Sequence, residues 1–376
     1  MIPITKPDVS FDEVSSEIAD ILSSGQLTSG KYVREFERIF AEYIGVKYAF
    51  ATTSATTALH MSLIAADIGV GDEVLVADFT FPASGNTIVQ SGATPILVDC
   101  CSDSFLLDLE HAEKLVSKNT KAIMPVATFG QSLDMVAVEN FARRHDLFLL
   151  EDAACSLGAH WQGRSSGSMI GAACFSFHPR KIITTGEGGM ITTDDDLLAE
   201  RLQLLRTHGG KIEGEGTVGL SFHEFGYNYR MSEIQAALGI AQMKRLDAII
   251  EDRRRVAKLY NKALADINTI RCPQEVDGSA GTYQSYVILL DKIINRNQVI
   301  SELRAAGIET TLGTYAMHMQ PAYSKFNYEP TDLLNACRAQ NQSLTLPLLP
   351  NMKNEMVKQV TDKLRETLLR AENTNE

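Results

Sequence analysis

Lys181 lies in the stretch Phe175-Ser-Phe-His-Pro-Arg-Lys-Ile-Ile-Thr-Thr-Gly-Glu-Gly-Gly-Met190, between an apolar, strand-like run and a glycine-rich turn. An amine held there could carry an aldehyde cofactor. A strand that sends Phe175 and Phe177 into a core leaves Ser176 on the opposite face. Gly186, Gly188 and Gly189 then give the backbone freedom where another group must come close. A lone lysine in a loop is ordinarily just solvated, so its meaning depends on what the rest of the chain supplies.

Three other stretches supply partners. Ala51-Thr-Thr-Ser-Ala-Thr-Thr-Ala-Leu59 joins a strand to a helix with small, hydroxylic residues. Helix N-terminal N–H groups can hold a phosphate there, with Ser54 and Thr56 adding hydroxyls; simple N-capping is the plainer alternative. Leu149-Leu-Glu-Asp152 puts Asp152 at the end of a buried strand, a costly place for a carboxylate without a positive partner. Capping is again the alternative, and Glu151 points to the other face. Asp78-Phe-Thr-Phe-Pro82 can lay an aromatic ring over a flat ligand, with core packing as the rival for Phe79. Gly226-Tyr-Asn-Tyr-Arg-Met231 sets Asn228 and Arg230 among aromatic residues, as interfaces often do. A phosphate seat, an aromatic plate, an acid for a pyridinium nitrogen and a lysine together suit pyridoxal 5'-phosphate.

The elements that must position these groups follow from the apolar pattern. Ser10-Phe-Asp-Glu13 reads as a capping box before a helix that stops at Gly25, and a second helix runs from Lys31 to Ile44. From Tyr48 to Thr193, helices alternate with strands expected at 48–51, 73–77, 95–99, 121–126, 147–151, 172–177 and 190–193. Several are continuous apolar runs, the mark of strands buried on both faces. The expected fold is α/β, a large domain with a mostly parallel sheet (residues 10–250) and a smaller C-terminal α+β domain (residues 251–376), with residues 1–9 packing against the latter. Ligands of such sheets sit beyond the carboxyl ends of the strands. A long helical stretch over 232–265 bridges the domains, followed by strands at 285–290 and 308–311 and helices at 296–306 and 353–369.

With 376 residues the chain exceeds the roughly 250–300 at which a single core stops growing. Thirty-five basic residues against 47 acidic ones, net −12, argue against nucleic acid as a partner. No apolar run reaches the roughly 18 residues of a membrane span, and the N-terminus has no signal pattern, so a cytoplasmic protein is expected. The six cysteines and eight histidines show no metal-site spacing, and no metal is expected.

The motifs also resemble a known family, the DegT-like sugar-nucleotide aminotransferases among fold-type I pyridoxal phosphate enzymes. The resemblance rests on Gly25-Gln-Leu-Thr-Ser-Gly30, Phe36-Glu37, Ser54 to Leu59, Gly71-Asp-Glu-Val74, Glu151 to Ala154, Ser176 to Met190, Gly226 to Met231 with Gln235-Ala-Ala237, and Leu346-Pro347. It implies that Lys181 forms the Schiff base and later moves the proton, Asp152 pairs with the pyridinium nitrogen and Phe81 stacks on the ring. Ala55, Thr56 and Ser176 would hold the phosphate together with Ser54, and Asn228 would reach it from the partner of a homodimer with shared active sites. His318 and Arg230 would lie near the substrate. Two positions depart from the family pattern: Ala55 stands where glycine is usual, and Cys155, a weak donor, where glutamine or histidine would meet the ring hydroxyl. The implied reaction moves an amino group from L-glutamate to a nucleoside-diphosphate-linked keto sugar. The run Ile182 to Gly189 looks more like members acting at carbon 4 of a 4-keto-6-deoxyhexose than like the carbon 3 branch. A sugar dehydratase on the same scaffold typically replaces the lysine with histidine, so Lys181 argues against it. The intact lysine, aspartate and serine argue against a regulator without turnover.

Overall fold

The computed structural model describes residues 1–211, 219–276 and 278–373. Seven strands form the central sheet: β1 (Tyr48–Thr52), β2 (Glu73–Ala77), β3 (Thr94–Val98), β4 (Thr120–Met124), β5 (Phe148–Asp152), β6 (Ala172–Ser176) and β7 (Gly189–Thr193). Their spatial order is β1-β7-β6-β5-β4-β2-β3, and only β7 runs against the others. The apolar runs mark strands covered on both faces; Val74, Leu75 and Val76, for example, have no exposed surface. Because six strands share one direction, the ends of β1, β2, β5 and β6 meet at a single edge.

The 31–44 helix fixes β6 from one side. Phe40 packs on Phe175 with ring centroids 5.0 Å apart, and Phe36 on Phe177 at 5.2 Å. Phe175 in β6 and Phe177 just beyond it are fully buried while Ser176 is half-buried on the other face, as alternation requires. That helix and the one before it both end on a glycine in the left-handed region, Gly25 and Gly45.

A second core gathers Val256, Tyr260, Tyr286, Ile288, Leu303, Leu344 and Leu364 around a three-stranded antiparallel sheet centred on Tyr286–Leu290. Ile2 enters this core, its N–H bonded to Gly307 O at 2.7 Å. Ala316, Met317, Tyr323 and Leu333 pack instead in the core beneath the large sheet. The short strand Tyr315–Ala316 zips onto Phe79–Thr80.

Three expectations need correction. The capping box at Ser10 does not form: Phe11–Glu13 is a 3-10 turn with no side-chain cap, and Glu13 lies 3.3 Å from Arg245 Nε as an ion pair. The stretch 232–265 is two helices, Glu233–Met243 and Leu246–Leu264, because Arg245 leaves helical geometry and donates to the Asp8 carboxylate and carbonyl. Residues 308–311 form no strand, only single bridges from Ile308 to Ile2 and from Thr311 to Thr345.

Candidate active site

Lys181 stands in the excursion between antiparallel β6 and β7. The excursion closes on itself: Phe177 N–H donates to Gly188 O at 2.9 Å, Thr185 N–H to Phe177 O at 3.0 Å and Lys181 N–H to His178 O at 2.8 Å. Lys181 is therefore held by backbone bonds, with its side chain half-buried. Its Nζ donates to Cys155 Sγ at 3.0 Å, so the departure at Cys155 brings the thiol against the amine itself.

Asp152 ends β5 and is 5% exposed. Ser84 Oγ donates to its Oδ2 at 2.7 Å, Ala154 N–H to its Oδ1 at 3.1 Å, and Thr80 Oγ lies 3.0 Å from Ser84 Oγ. Burial pushes the Asp152 carboxyl above its ordinary range, while the Ser84 hydroxyl, the Ala154 N–H and the nearby Lys181 charge oppose that shift. No helix follows Asp152, so the capping alternative fails and the Ala154 bond closes a local turn instead. Glu151 faces away, as alternation predicts, and bonds Ser166 and Gly167; burial pushes it up to about 7.

At the end of β1, the helix Ala55–Ala65 begins with a capping box in which Ser54 Oγ accepts from Thr57 N–H at 3.1 Å. The plain capping role expected of this serine is therefore present. The Ala55 and Thr56 N–H groups precede the first intrahelical bond, from Ala58 N–H to Ser54 O, and have no partner among the described residues. A Cβ at Gly189 would run into the Ser54 carbonyl and the Ala55 nitrogen, so the glycine lets β7 back directly onto this helix start. Ser176 pairs with Gly189 across the β6–β7 register, which brings it to the same corner. Ala55 has ordinary helical backbone, so alanine in place of the usual glycine carries no conformational cost.

The other sequence-derived residues are more dispersed. Phe81 is 66% exposed at the rim, its ring 6.5 Å from that of Tyr315. Arg230 bridges to Thr52 beside the helix start. Asn228 is exposed, with no side-chain hydrogen bond among the described residues. His318 does not open onto the site: its side chain is 1% exposed, with Nδ1 2.6 Å from Asp78 Oδ2 and its N–H donating to Asp78 Oδ1 at 2.8 Å. Ser84 and Asp78 escaped sequence reading because their partners are 68 and 240 residues away, and no local periodicity records such contacts.

A match to the DegT/DnrJ/EryC1/StrS aminotransferase family model extends over residues 10–365. The chain belongs to this family. The aminotransferase is 42% identical to the GDP-perosamine synthase of Caulobacter vibrioides over 318 residues, 84% of this chain and 85% of that one. Its structure superposes on a sugar aminotransferase from Streptococcus pneumoniae in the PMP form with a TM-score of 0.94, 26% identity and 99% and 100% coverage of the two chains. It superposes on DesV of S. venezuelae, solved with a ketimine intermediate, with a TM-score of 0.91, 32% identity and 97% and 98% coverage. The fold is that of the pyridoxal phosphate-dependent sugar aminotransferases, and pyridoxal 5'-phosphate is the cofactor. The residues present fit it: unpartnered helix N–H groups suit a phosphate, and a buried carboxylate without a bonded cation suits a pyridinium nitrogen. Among the described residues, no helix is long and apolar enough to cross a membrane.

Proposed function

We propose that this sugar aminotransferase takes an amino group from L-glutamate and places it on carbon 4 of a nucleoside-diphosphate-linked 4-keto-6-deoxyhexose, in the cytoplasm. The observation that carries the mechanism is the shared sheet edge, where the Lys181 amine, the Ser84-bonded Asp152 carboxylate and the free N–H groups of Ala55 and Thr56 come together. In this reading Ala55, Thr56, Ser54 and Ser176 hold the cofactor phosphate, Asp152 meets the ring nitrogen, Phe81 covers the ring and Cys155 lies at the ring hydroxyl. The cofactor supplies an electron sink for the charge left when a proton leaves carbon. Lys181 carries the cofactor and, once displaced by the donor amine, takes and returns that proton. Ser84 holds the Asp152 carboxylate in place.

The same reading includes a homodimer in which Asn228 serves the partner's site, with Arg230 near the substrate. Phe222 and Phe225, close to Asn228 in sequence, are 65% and 98% exposed, apolar surface that a second subunit would cover. The name of the Caulobacter relative supports a nucleotide sugar as acceptor, and the run Ile182 to Gly189 supports carbon 4. A panel of nucleotide-linked keto sugars with L-glutamate, the product read by NMR, tests this. Amination at carbon 4 is expected; a carbon 3 product overturns the position, and no amination of any keto sugar overturns the reading.

A further inference from the structure

Cys155 and Lys181 meet from the ends of two neighbouring parallel strands, β5 and β6. Cys155 sits in the turn after β5, closed by Ser156 N–H donating to Ala153 O at 3.1 Å; Lys181 sits in the excursion after β6, its N–H held by His178 O at 2.8 Å. Backbone bonds therefore fix both residues. Lys181 Nζ lies 3.0 Å from Cys155 Sγ, within the about 3–3.5 Å that separates the atoms of a near-attack pair. Both residues are half-buried, so neither is sealed from solvent.

The other five cysteines lack this setting. Burial pushes the thiols of Cys100, Cys101, Cys174, Cys272 and Cys337 up, which makes each a poor nucleophile near neutral pH. Cys174 meets Ser62 Oγ at 3.5 Å and Cys337 accepts from Asn341 Nδ2 at 3.6 Å. None of the five is hydrogen-bonded to a lysine among the described residues. Glutamine or histidine, usual at position 155, has no sulfur, so any thiol chemistry against the Lys181 amine belongs to this chain's departure from the family pattern.

We infer that peroxide joins these two side chains through a sulfur–nitrogen bond, a modification that takes the reacting amine out of use until a thiol restores it. First, the peroxide O–O bond breaks as Cys155 Sγ takes one oxygen, giving a sulfenic acid and water; sulfur loses two electrons and peroxide gains them. The unprotonated Lys181 amine then attacks that sulfur. The S–N bond forms, the S–O bond breaks, and the departing hydroxide leaves as water with the amine's proton. Sulfenic acids condense with backbone nitrogen in the same way. A small thiol reverses the step by attacking the sulfur and releasing the Lys181 amine, and a second thiol frees Cys155 from the resulting disulfide. The bond forms only while Nζ is free of cofactor, and for that condition alone the inference rests on the Schiff-base reading above.

The test loads the full-length protein with pyridoxamine 5'-phosphate, an amine that cannot form a Schiff base with lysine, treats it with hydrogen peroxide and maps its peptides by mass spectrometry. The expected product is a peptide pair joining Cys155 to Lys181, lighter by two hydrogen atoms than the separate peptides and parted by dithiothreitol. Cys155→Ser and Lys181→Ala should not give it. Later uptake of pyridoxal 5'-phosphate, read by visible absorbance, should be lost in proportion to the crosslink and return with dithiothreitol. In Cys155→Ser, peroxide should leave that uptake at the variant's untreated level. Sulfinic or sulfonic acid on Cys155 beside an unmodified Lys181, or a Cys155 disulfide in place of the crosslink, overturns the inference. Pyridoxal 5'-phosphate added before peroxide should abolish the crosslink. Full crosslinking in that arm would uphold the pair while removing Lys181 as the aldehyde carrier, so the two failures are distinguishable.

Discussion

Replacing Ser84 with alanine removes the shorter of the two hydrogen bonds to Asp152 and leaves a buried carboxylate with the Ala154 N–H alone. A bond to a charged group is worth about 1.5–3 kcal/mol, equivalent to about 1–2 units of pKa. Burial already raises Asp152, so the variant should raise it further. In the window between the unfolded and folded pKa values, the native state then holds the extra proton, and stability falls as pH rises through that window before levelling off. The cost of Ser84→Ala should therefore be smaller at pH 4 than at pH 8, approaching the full about 1.5–3 kcal/mol as Asp152 ionises. Urea unfolding of the cofactor-free protein at the two pH values reads this directly. Ser84→Cys, similar in shape but a weaker donor, should fall between. An equal cost at both pH values would show that the hydroxyl only fills space, and would refute the claim that it acts on the Asp152 charge.

Glu151 gives a second pH signature. With its folded pKa at about 7 and an unfolded value of about 4.3, it holds a proton in the native state. Its stabilising contribution is lost as pH rises through that window, on the order of 3 kcal/mol in full. Glu151→Gln should flatten the decline in melting temperature between pH 5 and 8; an unchanged slope would exclude Glu151 as its source. Phe225 tests the proposed homodimer: Phe225→Asp should raise its dissociation constant at least about tenfold in sedimentation, since burying a phenylalanine is worth about 1.5–3 kcal/mol. An unaltered dimer would place the interface elsewhere.

Sequence and structure agree where the physics is local. The strand at 73–77 is readable to the residue because its apolar run is continuous and bounded by polar residues, and Ser176 is readable as the outward residue between two buried phenylalanines. Lys181, Asp152 and the 54–56 turn each had a plain alternative, and for Ser54 the capping alternative is realised. The rest depended on contacts between distant segments. Nothing near Arg245 announces that Asp8 will hold the break between two helices, and nothing near His318 shows that Asp78 will bury its ring. Cys155 looked like a missing ring-hydroxyl donor, yet its thiol meets the Lys181 amine at 3.0 Å.

The proposed chemistry stands or falls on Lys181. Loading the purified protein with pyridoxal phosphate, reducing it with borohydride and mapping the peptides by mass spectrometry should find a single pyridoxyl group on Lys181, and none anywhere in Lys181→Ala. A label on another lysine, or the same labelling in Lys181→Ala, would contradict the assignment.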